Sequence, residues 1–150
     1  MSLPYSTYQH IGTAHTPFNE KFGTPRQPGL VKEAIGRIEI HAPFNRVEAF
    51  RGLEAFSHIW LLFHFHLTPE KVFQPTVRPP RLGGKERIGV FASRSPFRPN
   101  RIGQSLVKLL NIENNEKELI LTVEGIDLVD QTPIIDIKPY LPYCESIPNA

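Results

Sequence analysis

The stretch "IGQSLVKLLNIENNEKELILTVEGIDLVD" (Ile102–Asp130) contains two apolar runs rich in Leu, Ile and Val, separated by a polar turn. The runs "IGQSLVKLLNIE" (Ile102–Glu113) and "ELILTVEGIDLVD" (Glu118–Asp130) predict two strands, because such side chains suit a pleated surface. Asn114-Asn115 lies between them and favours a hairpin turn. This hairpin predicts a fold built mainly of β-strands.

Further strands are predicted on both sides of the hairpin. They cover Ser6–Phe18, Ala34–Phe44, Ser57–Leu67, Ile88–Ser93 and Pro133–Leu141. Ser57–Leu67 is the most apolar segment, and its periodicity alone would also fit a helix. One short helix is predicted between Asn45 and His58, with Asn45 as its N-cap and Gly52 as its stop.

The predicted fold class is mainly β: a small antiparallel or mixed barrel or sandwich with one or two short helices, as a single domain over residues 1–150. The 15 prolines in 150 residues are about twice the usual share and argue against a helical bundle. No βαβ alternation, GxGxxG or P-loop motif is present, which argues against the familiar nucleotide-binding folds.

Cysteine usage and hydropathy bear on the compartment. The single cysteine, Cys144, cannot form an intramolecular disulfide, which fits a reducing compartment. The N-terminal "MSLPYSTYQHIG" lacks the pattern of a signal peptide, and no apolar run reaches the length of about 20 residues that a membrane span needs. We therefore expect a cytoplasmic protein that does not enter a membrane.

Positive charge is concentrated in one segment. From Arg78 to Arg101 there are seven basic residues and one acid, Glu86, a net charge of +6, whereas the rest of the chain has 10 basic and 14 acidic residues, a net charge of −4. A local positive field on a mildly acidic body favours a polyanionic or phosphate-bearing partner. The alternative is a charge cluster that only aids solubility.

The segment "ASRSPFRPNRIGQ" (Ala92–Gln104) follows a predicted strand and holds three arginines beside two prolines. Proline stiffens the loop, and a guanidinium held in such a frame can stack on a base or bind a carboxylate or phosphate through two parallel hydrogen bonds. A ligand site is therefore favoured over a structural turn. A second stiff loop, "TPRQPG" (Thr24–Gly29), carries Arg26 and Gln27 and fits a polar clamp or a surface loop equally well.

His58, His64 and His66 have separations that would place them on one face of a strand, which is one pattern for zinc. No cysteine or HExxH partner accompanies them, so we expect no metal. His64 and Phe65, at the end of a buried strand, could instead contact a ligand. The turn Asp130-Gln131-Thr132-Pro133 is rich in acceptors, and a carboxylate there could bind ribose hydroxyls or an amino group, or neutralise a cation such as a sulfonium.

These motifs resemble the TsaA-like (TrmO) family. The resemblance is carried by "IGVFASRSPFRPNRIGQS", by "TPRQPG" upstream and by "DQTPIIDIKPYLPY" downstream, and it runs from "IGTAHTPF" to "KPYLPY". Family members are S-adenosyl-L-methionine-dependent tRNA methyltransferases. The resemblance implies a small β-barrel distinct from Rossmann-like methyltransferases, working as a homodimer with the cofactor near the subunit interface. The implied reaction is N6-methylation of N6-threonylcarbamoyladenosine beside the anticodon of tRNA.

The resemblance also implies the site residues. S-adenosyl-L-methionine would contact Pro25, Arg26, Gln27, His64, Phe65, Arg94, Gln104, Asp130, Gln131, Thr132 and Pro133. Arg98 and Arg101 are predicted to bind substrate or to frame the loop. A catalytic base is not identified by the resemblance or by the residues.

The chain departs from the common family pattern at several positions. Ser93, Arg101 and Gln104 stand where many members have Thr, Pro and Leu. Gln131 stands where many have Gly, and it would be strained if that glycine has positive φ. Many bacterial members also carry a C-terminal domain that helps to bind tRNA, so the resemblance implies a short member or part of a longer chain.

Three functions stay open at this level. The first is the tRNA methyltransferase, and the second is a non-catalytic dimeric module that binds S-adenosyl-L-methionine or RNA. The third is a metal-dependent hydrolase that uses the histidines; an acid pair for hydrolysis is conceivable among Asp127, Asp130 and Asp136, but no other motif supports it.

Overall fold

Six antiparallel strands close into a barrel in the computed structural model, which describes residues 3–19, 34–69, 73–79 and 83–150. The barrel strands are β1 (Gly12–His15), β2 (Ile35–Ile40), β3 (His58–His64), β6 (Ile102–Asn114), β7 (Leu119–Glu124) and β8 (Thr132–Pro139). Their order around the barrel is β1-β2-β7-β6-β3-β8. Two short strands, β4 (Thr76–Val77) and β5 (Ile88–Gly89), pair outside it.

The hairpin that dominates the sequence forms as predicted. β6 and β7 pair antiparallel, with Asn114 opposite Leu119 at the turn. The Asn115 side chain closes this turn, since its Oδ1 accepts hydrogen bonds from the backbone N–H groups of Lys117 and Glu118 at 3.0 and 2.8 Å. β7 is shorter than predicted, because the strand ends at Glu124 and Gly125 turns the chain with a φ of 81°.

Alternating side chains fill the barrel. Along β3, Ile59, Leu61 and Phe63 are buried while the residues between them are half-buried on the outer face. The other strands supply the remainder of one core cluster, which includes Ala14, Ile38, Ile40, Val107, Leu119, Leu121, Val123 and Ile134. The mainly β class and the barrel alternative are therefore confirmed, and the fold is not Rossmann-like.

The predicted helix between Asn45 and His58 is wrong. Two 3-10 turns occupy this segment, Val47–Phe50 and Leu53–Ala55, and Asn45 does not cap either of them. Gly52 acts as a stop, as expected, with a φ of 91°. An α-helix this short has too few internal hydrogen bonds to be stable without a buried face, and neither turn contains a buried residue.

The predicted strands Ser6–Phe18 and Ile88–Ser93 are shorter in the structure. The first is reduced to β1. The second ends at Gly89, because the backbone N–H of Val90 bonds to the carbonyl of Pro75 at 2.9 Å and the next three residues form a 3-10 turn. This turn leads directly into the arginine-rich loop.

The end of the chain packs on the outside of the barrel. A single helical turn, α1 (Pro142–Glu145), follows β8. Trp60 Nε1 on β3 donates to Glu145 Oε2 at 2.6 Å, and the Trp60 ring meets Tyr140 edge-on with 6.2 Å between centroids. Within the described ranges, no helix is long and apolar enough to cross a membrane.

Gly103 on β6 leaves room for two aromatic rings, Phe63 and Phe65. A Cβ at this position would fall on the Phe63 ring and would lie 2.9 Å from Phe65 Cζ. We expect Gly103→Ala to lower the free energy of unfolding by about 1–3 kcal/mol, because two packed rings would have to move. Urea unfolding measures this change. Gly89→Ala is the matched control, since no atom lies within 4 Å of its added Cβ, and equal losses in both variants would contradict the prediction.

Candidate functional site

Most of the described candidate site residues meet at one end of the barrel, where β3 finishes at His64 and β6 begins at Ile102; we call this the site end. His64 is paired with Ile102, and Leu62 with Gln104, so His64 and Gln104 are diagonal neighbours on the same outer face. The backbone N–H of Phe65 donates to the carbonyl of Arg101 at 3.0 Å, which continues the ladder past the strand. Strand pairing therefore joins these residues across some 40 positions of sequence.

The turn Asp130–Pro133 reaches the same end through β8. Phe63 is paired with Ile134, which brings the residues just before Ile134 beside the end of β3. Asp130 Oδ1 accepts a hydrogen bond from the backbone N–H of Thr16 at 2.9 Å, and Thr132 Oγ1 donates to the carbonyl of Val129 at 2.6 Å. The turn is thus fixed on β1 and on its own backbone.

Gln131 has a left-handed backbone with a φ of 69°, the condition under which strain was predicted at this position. Its side chain makes contacts that a glycine could not make. Gln131 Nε2 lies 3.1 Å from His15 Nδ1 and 3.4 Å from Asp130 Oδ2. His15 Nε2 in turn lies 3.4 Å from Glu39 Oε1. A polar chain therefore links the turn to β1 and β2.

Arg94 is exposed, and its positive charge acts to lower the pKa of Asp127, a carboxyl that was not among the predicted site residues. Asp127 Oδ1 accepts a hydrogen bond of 2.6 Å from Ser105 Oγ, and Ser105 is buried. Burial raises the pKa of the Asp127 carboxyl from 3.8 to about 6, although the Ser105 hydrogen bond and the positive charge of Arg94 both lower it. A pKa near neutrality is typical of functional carboxylates. The available signal was a lone acid in the apolar run "GIDLV".

Arg98 and Arg101 use one arm of each guanidinium within the protein. Arg98 Nη1 donates to the carbonyls of Ser93 and Ser95, both at 3.0 Å, and so ties the loop to itself. Arg101 Nη1 donates to the carbonyl of Thr68 at 3.0 Å, while its Nε is buried without a partner among the protein atoms described. These contacts fit the framing role, and a role in substrate binding stays a prediction.

The remaining predicted site residues, Pro25, Arg26 and Gln27, lie outside the described residues. The histidines are separated more than the strand pattern implied, because β3 ends at His64 and His66 lies beyond it. His64 stacks on His10 with 6.0 Å between ring centroids. Among the described side chains, no group of three or more His, Cys, Asp or Glu is arranged to hold a metal ion.

A cleft of about 470 Å³ lies at the opposite end of the barrel, along Asn45, Val47 and the β6–β7 turn. It includes none of the predicted site residues and no reactive group beyond two exposed acids and a lysine. The described candidate site residues therefore lie away from this cleft.

Comparison with known proteins places this arrangement in a family. Residues 13–146 match the family model described as the tRNA-methyltransferase O N-terminal domain. The chain is 57% identical over 143 residues to a tRNA (adenine(37)-N6)-methyltransferase of Escherichia coli (strain K12), covering 95% of this chain and 61% of that protein. It is 40% identical over 142 residues to the human protein of the same name, covering 93% of this chain and 31% of that one.

An archaeal relative and a solved structure extend the comparison. A Pyrococcus abyssi protein named "Probable S-adenosyl-L-methionine-binding protein" is 39% identical over 137 residues, covering 90% of this chain and 68% of its own length. The crystal structure of TrmO from Pseudomonas aeruginosa superposes with a TM-score of 0.81 at 43% identity, over 99% of this chain and 62% of that chain. The chain thus spans about 60% of the length of the bacterial relatives it matches.

The raised pKa of Asp127 predicts a pH dependence of stability. Between pH 4 and pH 6 the folded protein holds a proton on Asp127 that the unfolded chain has lost, so this group lowers the free energy of unfolding as the pH rises. Asp127→Asn removes this penalty and should gain stability relative to the parent chain by at most about 3 kcal/mol between pH 4 and pH 7. Urea unfolding across this range measures the difference, and parallel curves would contradict the assignment.

Two substitutions at Gln131 separate backbone strain from side-chain contacts. Gln131→Gly removes both, whereas Gln131→Ala keeps a Cβ at positive φ and removes only the amide. We expect the glycine variant to be more stable than the alanine variant by about 1–2 kcal/mol, the cost of a left-handed residue with a side chain. Thermal unfolding of the pair gives this difference. Equal midpoints would show that the turn relaxes without strain.

Proposed function

The chain belongs to the tRNA-methyltransferase O N-terminal domain family, and we propose from this membership that it transfers a methyl group from S-adenosyl-L-methionine to N6 of an adenosine in tRNA. The adenosine is the threonylcarbamoyladenosine beside the anticodon, at the position that the relatives' names give as 37. The observation that carries the proposal is the meeting of His64, Phe65, Gln104 and the turn Asp130–Pro133 at the site end.

The side chains present at the site end suit the chemical groups of this cofactor. Among the described residues, Asp130 Oδ2 has one long contact, to Gln131, so it can accept hydrogen bonds from hydroxyl or amino groups of a ligand. Phe65 supplies an aromatic surface, and Arg94 an exposed guanidinium for a carboxylate. His64, Gln104, Thr132 and Pro133 would complete the described part of the cofactor site, with Pro25, Arg26 and Gln27 from the second loop.

When bound, S-adenosyl-L-methionine supplies a methyl group already activated by a sulfonium. The protein's contribution is then to hold the acceptor nitrogen in line and to place charge correctly. Rigid elements surround the site end: the loop is tied by Arg98, and the turn is fixed by Thr16 and Ala14. Asp130 would supply negative charge near the cation, and Arg98 and Arg101 would supply positive charge for an anionic substrate.

The proposal includes a homodimer in the cytoplasm. Apolar side chains on the outside of the barrel support the dimer, since Trp60 is paired with Leu106 and Leu62 follows on the same face. A second subunit that covers this face would also approach His64 and Gln104. Sedimentation of the purified chain tests the assembly.

Arg94→Ala tests the assigned site. Loss of a charge-assisted hydrogen bond should weaken S-adenosyl-L-methionine binding roughly tenfold or more, as measured by calorimetry. Arg51→Ala is the matched control, because Arg51 is exposed and lies far along the chain from the basic segment. Unchanged affinity in Arg94→Ala would remove Arg94 from the cofactor site.

Transfer of a labelled methyl group tests the activity itself. We expect incorporation into tRNA that carries threonylcarbamoyladenosine and none into the same tRNA without the modification. Cofactor binding without methyl transfer would favour the non-catalytic module over the enzyme.

A further inference from the structure

Phe91 is an exposed aromatic residue that lies far from both ends of the sequence. The residue is 74% exposed, although the preceding residue, Val90, is buried at 1%. Among the residues that the structure describes, the other large apolar residues that are as exposed, Leu3, Tyr5 and Tyr143, lie close to the two ends of the chain. Exposure of a whole phenylalanine ring is unfavourable in water, so a ring held this way points to a ligand or partner that covers it.

The backbone that carries Phe91 is firmly held. Val90 N–H donates to the carbonyl of Pro75 at 2.9 Å, and the Val90 carbonyl accepts from both the N–H and the Oγ of Ser93, at 3.1 and 2.8 Å. The Arg98 guanidinium carbon lies 5.9 Å from the centroid of the Phe91 ring. The ring is therefore presented in a fixed place with a planar cation over one of its faces.

The segment that carries the ring is cationic. The exposed basic residues in the described part of Arg78–Arg101 are Arg78, Lys85, Arg87 and Arg94, against the single acid Glu86. Arg87 is fixed on the β4–β5 sheet by a 3.0 Å hydrogen bond to Thr76 Oγ1. A second exposed ring, Phe73, belongs to this region, because its neighbour Gln74 donates to the carbonyl of Phe97 at 3.0 Å.

We propose that Phe91 and Arg98 form a stacking platform for an unpaired base of RNA, with the basic residues around them contacting the neighbouring phosphates. Aromatic and guanidinium planes are the groups on which unstacked bases pack, and exposed arginines provide the backbone contacts. The RNA class rests on the proposed function; the platform adds where and how the RNA is held. Arg94 lies three residues from Phe91, so a base on the platform anchors a nucleotide close to the candidate site.

Charge favours RNA over a second copy of the chain as the occupant. In a two-fold dimer the same patch meets itself, so the +6 segments of two subunits would face each other. Like charges at such a contact oppose association, whereas a polyanion is attracted. The apolar outer face of β3 and β6 is the better candidate for a subunit interface.

The test compares variants of the 150-residue chain for binding to a labelled RNA hairpin with an unpaired loop, by fluorescence anisotropy. Phe91→Leu keeps an apolar side chain and removes the aromatic face, and we expect it to weaken binding about tenfold. Phe91→Tyr keeps the face and should bind within about twofold of the parent chain. Tyr143→Leu is the matched control, because Tyr143 is exposed but lies outside the basic segment, and it should not change the affinity.

Two further measurements distinguish stacking from charge. The slope of log affinity against log salt should be unchanged in Phe91→Leu, whereas Arg87→Ala should reduce it by about one. A fully paired RNA duplex offers no free base, so Phe91→Leu should bind it as the parent chain does. Equal loss on hairpin and duplex would overturn the platform.

The remaining outcomes separate this inference from the proposed function. If the parent chain binds S-adenosyl-L-methionine and methylates tRNA while Phe91→Leu binds the hairpin unchanged, the platform is wrong and the proposed function stands. If Phe91→Leu sediments as a smaller species than the parent chain, the ring belongs to a subunit interface and the platform is wrong. If the parent chain binds neither cofactor nor RNA, both the proposed function and the platform are wrong.

Discussion

The packing of two aromatic rings at the end of β3 depends on the missing side chain of Gly103. The Phe63 and Phe65 rings pack over it, edge to face, with 5.1 Å between their centroids. The seven-residue ladder between β3 and β6 runs past this point to His64. Since β3 also pairs with β8, the same strand positions the Asp130–Pro133 turn. One steric condition thus holds both halves of the candidate site together.

Local patterns in the sequence predicted the strands well, and long-range contacts explain the rest. The β6–β7 hairpin was predictable because apolar runs and an Asn-Asn turn lie within 30 residues. A barrel could not be separated from a sandwich, because closure depends on pairings such as β1 with β8, far apart in the chain. The predicted helix failed because the helical spacing in Asn45–His58 places only Phe50 and Leu53 against the core, where they are partly buried in two separate 3-10 turns.

In the candidate site, too, local patterns were predictable from the sequence and long-range contacts were not. Residue types and the family resemblance predicted the arginine loop and the Asp130 turn, and the structure brings their described residues to one end of the barrel. Asp127 was not selected from the sequence, because its partner Ser105 is 22 residues away and the two meet only in the folded barrel. The contact from Gln131 to His15 spans 116 residues and has no local signal. Arg26 and its neighbours remain sequence predictions.

Left-handed backbone conformations occur at two of the positions where the sequence departs from the pattern that it resembles. Arg101 and Gln131 are the non-glycine residues with positive φ in the described part of the chain, at 49° and 69°. Arg101 stands where the pattern that the chain resembles has proline, and proline cannot adopt a positive φ. The loop entering β6 therefore follows a path that proline would forbid. Both residues are held by backbone hydrogen bonds, to Phe65 and to Ala14. Such conformations persist only where the surroundings fix them.

The hydrogen bond between Trp60 and Glu145 makes the tryptophan an intrinsic fluorescence probe of the final helical turn. Trp60 is the single tryptophan of the sequence, and its indole is contacted by residues that follow β8. Its emission therefore depends on whether the final turn is seated against the barrel wall. Detachment of that turn would register as a spectral shift while the six strands stay closed, so fluorescence and circular dichroism can follow two different steps in one sample.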